Sequence, residues 1–169
     1  LKKTNLPTRL DSFFGREPEL TEFKERLVAG QRLITLLGAG GTGKTRLAQR
    51  LGGTQLASFP GGVWFCDLSE ARSKSGILSA AGMALEVPLT SKDPEAQLAD
   101  AILGRGRVLL ILDNFEQVVE HAAETVGRWL QRAPEAVFLV TSRALLRIEG
   151  EGVFTLDPLL AHEAVNLFY

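Results

Sequence analysis

Arg32-Leu33-Ile34-Thr35-Leu36-Leu37 leads without a break into Gly38-Ala39-Gly40-Gly41-Thr42-Gly43-Lys44-Thr45, and Arg46-Leu47-Ala48-Gln49-Arg50-Leu51 follows. The first six residues are mostly apolar and partly β-branched, which reads as a buried strand. The glycines let backbone N–H groups turn inward around phosphate oxygens, where a side chain would block the approach. A helix opening at 43–45 adds its positive dipole end. Lys44 is suited to reach β- and γ-phosphates as a point charge, and Thr45 to offer its hydroxyl to Mg²⁺. Strand, G-x-x-x-x-G-K-[ST] loop and helix are thus expected to bind nucleoside phosphates through Gly38, Gly40, Gly41, Thr42, Gly43, Lys44 and Thr45, with Arg46 beside them. Gly38, Gly40 and Gly43 also satisfy the dinucleotide fingerprint G-x-G-x-x-G, and Asp67 ends the next strand where a ribose-binding acid would fall. That reading has no use for Lys44-Thr45, nor has a glycine-rich turn that binds nothing.

Outward from this loop, strand and helix patterns alternate. Helices are expected over 17–29, with Leu20, Phe23 and Leu27 on one face, and over 43–51, stopped by Gly52-Gly53. Further helices are expected over 74–85, over 94–103 with Asp93 as N-cap, and over 117–132 with Val118, Ala122, Val126 and Trp129 on one face. Strands are expected at 63–67, 108–112 and 136–140, with an edge strand at 153–156 and a surface loop at 86–93. Strands separated by helices imply a parallel sheet of about five strands covered on both faces.

The strand 108–112 is followed at once by Asp113. A carboxylate at the carboxyl end of a buried strand, in a sheet that already carries a phosphate loop, is expected to serve Mg²⁺ together with Thr45. Its alternative is a helix cap. The next residue is Asn114, which cannot act as a base. Glu116 is the nearest carboxylate, read equally as a water-activating group or as a first-turn helix acid. The strand 136–140 ends in Thr141-Ser142-Arg143, where the Arg143 fork is placed to bind γ-phosphate oxygens.

Composition sets the bounds. The chain has 169 residues, the size of one domain, and 19 Lys plus Arg against 20 Asp plus Glu. The net charge of −1 gives no general pull toward nucleic acid or an acidic membrane. The single Cys66 excludes an internal disulfide and a Cys-built zinc site, and fits a reducing compartment such as the cytoplasm. No apolar run approaches the roughly 20 residues that span a bilayer. The start of the chain lacks the apolar core of a signal peptide and an initiating Met, and 161–169 carries a helical pattern with no stop, so a piece of a longer protein is expected.

Taken together, the motifs closely resemble the nucleotide-binding domain of STAND ATPases, the signal-transduction relatives of AAA+ and NB-ARC proteins. The likeness is closest to bacterial regulators of the AfsR/SARP and ATP-dependent LuxR type. It rests on Phe13-Phe14-Gly15-Arg16-Glu17, on the Walker A loop 37–45, and on Leu110-Ile111-Leu112-Asp113-Asn114-Phe115-Glu116 as Walker B. Val140-Thr141-Ser142-Arg143 and Leu156-Asp157-Pro158-Leu159 complete it. The resemblance implies a three-layer α/β P-loop NTPase domain over the whole of 1–169, whose segment 1–29 carries the Phe-Gly-Arg-Glu box. It implies an ATP/ADP switch with Mg²⁺ and slow hydrolysis, with Phe14, Arg16 and Pro158 on the nucleotide. Self-association on activation and an inducer are implied for the parent protein. DNA binding belongs there too, in a domain outside this chain, as do the winged-helix and sensor domains. A dedicated P-loop ATPase or kinase is the rival, and Asn114 argues against an ATPase built for turnover. A GTPase would need an Asn-Lys-x-Asp motif and an ABC ATPase a Leu-Ser-Gly-Gly-Gln signature, and the sequence has neither.

Overall fold

A computed structural model describes residues 3–7, 16–90 and 92–156. Five strands form one sheet: β1 Leu33–Leu37, β2 Val63–Asp67, β3 Leu109–Asp113, β4 Val137–Ser142 and β5 Glu151–Thr155. All neighbours pair in parallel, in the order β2-β3-β4-β1-β5. Parallel pairing requires crossovers, and these are supplied by α2 (Lys44–Gly53), α3 (Lys74–Leu85), α4 (Pro94–Gly104) and α5 (Val126–Arg132), while α1 (Glu17–Val28) precedes the sheet.

The alternation of side chains along β3 shows the layering. Leu109 and Ile111 join Phe23, Leu27, Leu47 and Leu51 in an apolar layer under α1 and α2. Leu110 and Leu112 join Ile77, Leu98 and Trp129 in the layer under α3, α4 and α5. The result is a three-layer α/β fold with a five-stranded parallel sheet. Ser73 and Asp93 cap α3 and α4 by accepting from Gly76 and Ala96 N–H at 3.1 and 3.2 Å.

Three expectations need correction. Gly52-Gly53 does not stop α2, which runs through both glycines to a cap at Thr54. A Cβ on Gly52 would lie 2.7 Å from Ile111 Cδ1, so the small residue lets the helix lie close on the sheet. The single helix over 117–132 is instead a 3₁₀ segment, Phe115–His121, kinked at Val118, followed by a turn and the short α5. Val118, Ala122, Val126 and Trp129 are all buried as expected. Their spacing serves both shapes, while the β-branched Val118, Val119, Thr125 and Val126 weaken a continuous helix. The last strand begins at Glu151, before the expected 153, in register with Leu33 of β1.

The expected surface loop at 86–93 is tethered: the Gln97 side chain accepts from Thr90 N–H at 2.8 Å and donates to Pro88 O at 2.9 Å. Between β4 and β5 the chain carries no helix. Glu151 secures this stretch by accepting from the N–H groups of Leu146 and Arg147 at 2.9 and 3.0 Å and from the Thr35 hydroxyl at 2.7 Å. At the opposite edge Thr4 bridges Val63, and the Asn5 amide both donates to and accepts from the Phe65 backbone, at 2.8 and 2.6 Å. Phe14, Pro158 and the pattern at 161–169 lie outside the described residues. No described helix is long and apolar enough to cross a membrane.

Candidate nucleotide-binding site

The carboxyl ends of β1, β3 and β4 open onto a cavity of about 530 Å³ lined by Gly40, Lys44, Thr45, Arg46, Glu116 and Arg143, among others. This is the crevice at strand ends where open parallel sheets hold ligands. Gly41 and Gly43 both sit at φ +81, a backbone conformation that L side chains rarely adopt, so the loop's course requires glycine there. Gly38 is needed for space, since a Cβ would lie 3.0 Å from Leu156 O and from Thr42 Oγ1. The Thr42 hydroxyl donates to Ala39 O at 2.8 Å and closes the loop from within. Lys44 Nζ donates to Gly38 O and Ala39 O, each at 2.8 Å. Burial holds the Lys44 pKa below its ordinary value, opposed by Glu116 and Asp113 and assisted by Arg143.

Asp113 is buried and surrounded by donors. Thr45 Oγ1 lies 3.0 and 2.9 Å from its two carboxylate oxygens, Thr141 Oγ1 donates at 2.6 Å, and Asn114 Nδ2 at 3.0 Å. Burial raises its pKa, the hydroxyls of Thr141 and Thr45 pull it back, and the charges of Asp67 and Glu116 raise it further. Thr45 and Asp113 form a hard-oxygen pair of the kind Mg²⁺ accepts. Among the described residues no cluster of three or more His, Cys, Asp or Glu side chains could hold a metal ion. An ion at Thr45 and Asp113 would therefore complete its shell with phosphate oxygens and water.

Sequence reasoning read Asn114 only as a missing acid. In the structure it sits at φ 63, ψ 51, a left-handed turn that Asn tolerates, and donates its N–H to Thr141 Oγ1 at 2.9 Å. Thr141 Oγ1 is turned to Asp113 and joins it to Asn114. Arg143 follows β4 directly, and a Cβ on Gly40 would collide with its guanidinium. Glu116 Oε1 accepts the Arg143 backbone N–H at 3.1 Å. On the other flank, Arg16 donates to Thr42 O at 3.4 Å and pairs with Glu19 at 3.3 Å, so its side chain reaches the phosphate loop.

The fold thus brings Lys44, Thr45, Arg46, Glu116 and Arg143 to one cavity, with Asp113 buried behind Thr45 and Arg16 beside the loop. A parallel three-layer fold with a G-x-x-x-x-G-K-[ST] loop at the end of β1 defines a P-loop NTPase domain. Comparison with known families makes this more specific: the AAA domain matches residues 26–148, and the chain belongs to that family. An uncharacterised protein of Mycobacterium tuberculosis is 32% identical over 164 residues, covering 94% of this chain and 40% of the relative. The regulatory protein AfsR of Streptomyces griseus is 30% identical over 181 residues, covering 99% of this chain and 18% of AfsR. The crystal structure of Cdc6p from Pyrobaculum aerophilum superposes with a TM-score of 0.70 at 18% identity, over 96% of this chain and 50% of that one. The chain therefore spans less than half the length of these curated relatives.

Proposed function

We propose that this AAA-type nucleotide-binding domain is the ATP/ADP switch of a STAND-type bacterial regulator, hydrolysing ATP slowly. The observation that carries the reading is the convergence of Lys44, Thr45 and Arg143 on one cavity at the strand ends, with Asp113 hydrogen-bonded behind Thr45. The turned-in N–H groups of 38–45 and Lys44 bind the phosphates, and Thr45 with Asp113 holds Mg²⁺. A bound Mg²⁺ would neutralise charge on the β- and γ-phosphate oxygens. Arg143, reaching across the loop at Gly40, distinguishes a triphosphate from a diphosphate. Asn114 supplies no base, which suits a site that holds its nucleotide rather than turning it over rapidly. The relation to AfsR supports placing the domain in a transcriptional regulator. On that reading the parent self-associates on activation by an inducer, and its DNA contacts lie outside this chain.

The test is mass spectrometry of nucleotide released by denaturing the purified protein. ADP carried through purification supports the switch, whereas NAD or GTP overturns it.

A further inference from the structure

Glu116 invites reading as the base that activates water, because it is a carboxylate on the cavity wall. Its hydrogen bond points elsewhere. Glu116 Oε1 accepts the backbone N–H of Arg143 at 3.1 Å, across 27 residues of sequence. The neighbouring Asn114 N–H makes the same kind of crossing, to Thr141 Oγ1. Regular pairing of β3 with β4 runs to Leu112 and Val140. Beyond that point the two chains are held together by side chains: Asp113 with Thr141, Asn114 with Thr141, Glu116 with Arg143. The left-handed turn at Asn114 starts the 3₁₀ segment in which Glu116 stands, and so brings this carboxylate to the end of β4. Arg143 is the first residue after the strand and is exposed. Its guanidinium nevertheless lies on the bare face of Gly40, on the rim of the phosphate cavity. A long side chain on an exposed backbone reaches one place reproducibly only if that backbone is fixed.

We propose that Glu116 is a positioning residue: its carboxylate pins the backbone of Arg143 and so aims the guanidinium at the terminal phosphate. This rests on the nucleotide reading above. The two roles differ in what they need: positioning requires only an accepting oxygen at Oε1, whereas general-base catalysis requires a carboxylate that takes up a proton.

The two roles respond differently to Glu116→Gln and Glu116→Ala. Gln keeps a carbonyl oxygen that can accept the Arg143 N–H but cannot act as a base. Ala lacks both, and the two variants carry the same charge. ATP and ADP affinities are measured by calorimetry with Mg²⁺, together with single-turnover hydrolysis. Positioning predicts that Glu116→Ala prefers ATP over ADP about fivefold less than Glu116→Gln does, with ADP affinity equal in the two. In an Arg143→Ala background the difference between the two variants should vanish. Equal preference in both variants overturns the proposal, and so does a fall in hydrolysis of about 100-fold or more common to both, the mark of a lost base. If the unmodified protein binds neither nucleotide, the underlying reading fails instead.

Discussion

The loop at 38–45 and the wall that Asn114, Glu116 and Arg143 form opposite it border the same cavity but are built differently. The loop is one continuous stretch whose shape comes from backbone freedom, with Gly41 and Gly43 at φ +81. The opposite wall is collected from two strand ends and held by side-chain hydrogen bonds through Asp113, Thr141 and Glu116. The first design is suited to giving main-chain donors to a phosphate whatever else the ligand carries. The second offers individually placed oxygens and one guanidinium, and is suited to telling one phosphate state from another.

The largest expected effect breaks the loop half. Lys44→Ala should weaken ATP and ADP alike by about 100-fold in calorimetry, since a charged donor to phosphate is lost for both. Unchanged ADP affinity would refute the assignment of the loop. Asp113→Asn comes next and should act on the other half alone. Mg²⁺ should no longer strengthen ATP binding, while metal-free ADP binding stays within about threefold. The same variant has a pH signature. Burial raises the Asp113 pKa, so the folded state holds more protons than the unfolded state between about pH 4 and the raised value. Stability of the nucleotide-free protein should therefore decline as pH rises through that window, and Asp113→Asn should flatten the decline in denaturant unfolding.

Gly40→Ala tests where the two halves meet. The new methyl should displace the Arg143 guanidinium, reducing the preference for ATP over ADP roughly threefold to tenfold. Equal losses for both nucleotides would mean that Gly40 acts through the loop's own N–H groups. The smallest effect concerns Thr141. Thr141→Val leaves Asn114 N–H without its partner and removes one of the donors to Asp113, and should cost about 1–2 kcal/mol in urea unfolding, with Thr141→Ser restoring most of it. Equal stability of the Val and Ser variants would show that the hydroxyl contributes no more than the methyl.

This contrast also explains what could be read from sequence. The loop was legible because its chemistry needs specific residues at fixed adjacent positions, and Asp113 because a charge directly after five apolar residues is conspicuous. The links among Asn114, Glu116, Thr141 and Arg143 depend on which strands become neighbours, and β4 lies between β1 and β3 for reasons that no local pattern encodes. Asn114 stood out as an absence, whereas its work is a turn and a donated hydrogen bond. The layers were legible from apolar spacing, but the spacing of Val118, Ala122, Val126 and Trp129 could not distinguish a kinked 3₁₀ segment and turn from one helix. Gly52-Gly53 looked like a helix stop because the nearby Ile111 side chain that demands a small residue is 59 positions away in the chain.

The short segment at 3–7 has a consequence for the molecule's solubility. A strand at a sheet border presents a row of unpaired amides and carbonyls that can template growth by another chain. Here Thr4 and the Asn5 amide occupy that row along β2, the side-chain amide taking the place of a backbone partner for Phe65. Five residues remote from the nucleotide cavity thus act as a terminator for the sheet. Without residues 3–7 the β2 border would be left unpaired and adhesive.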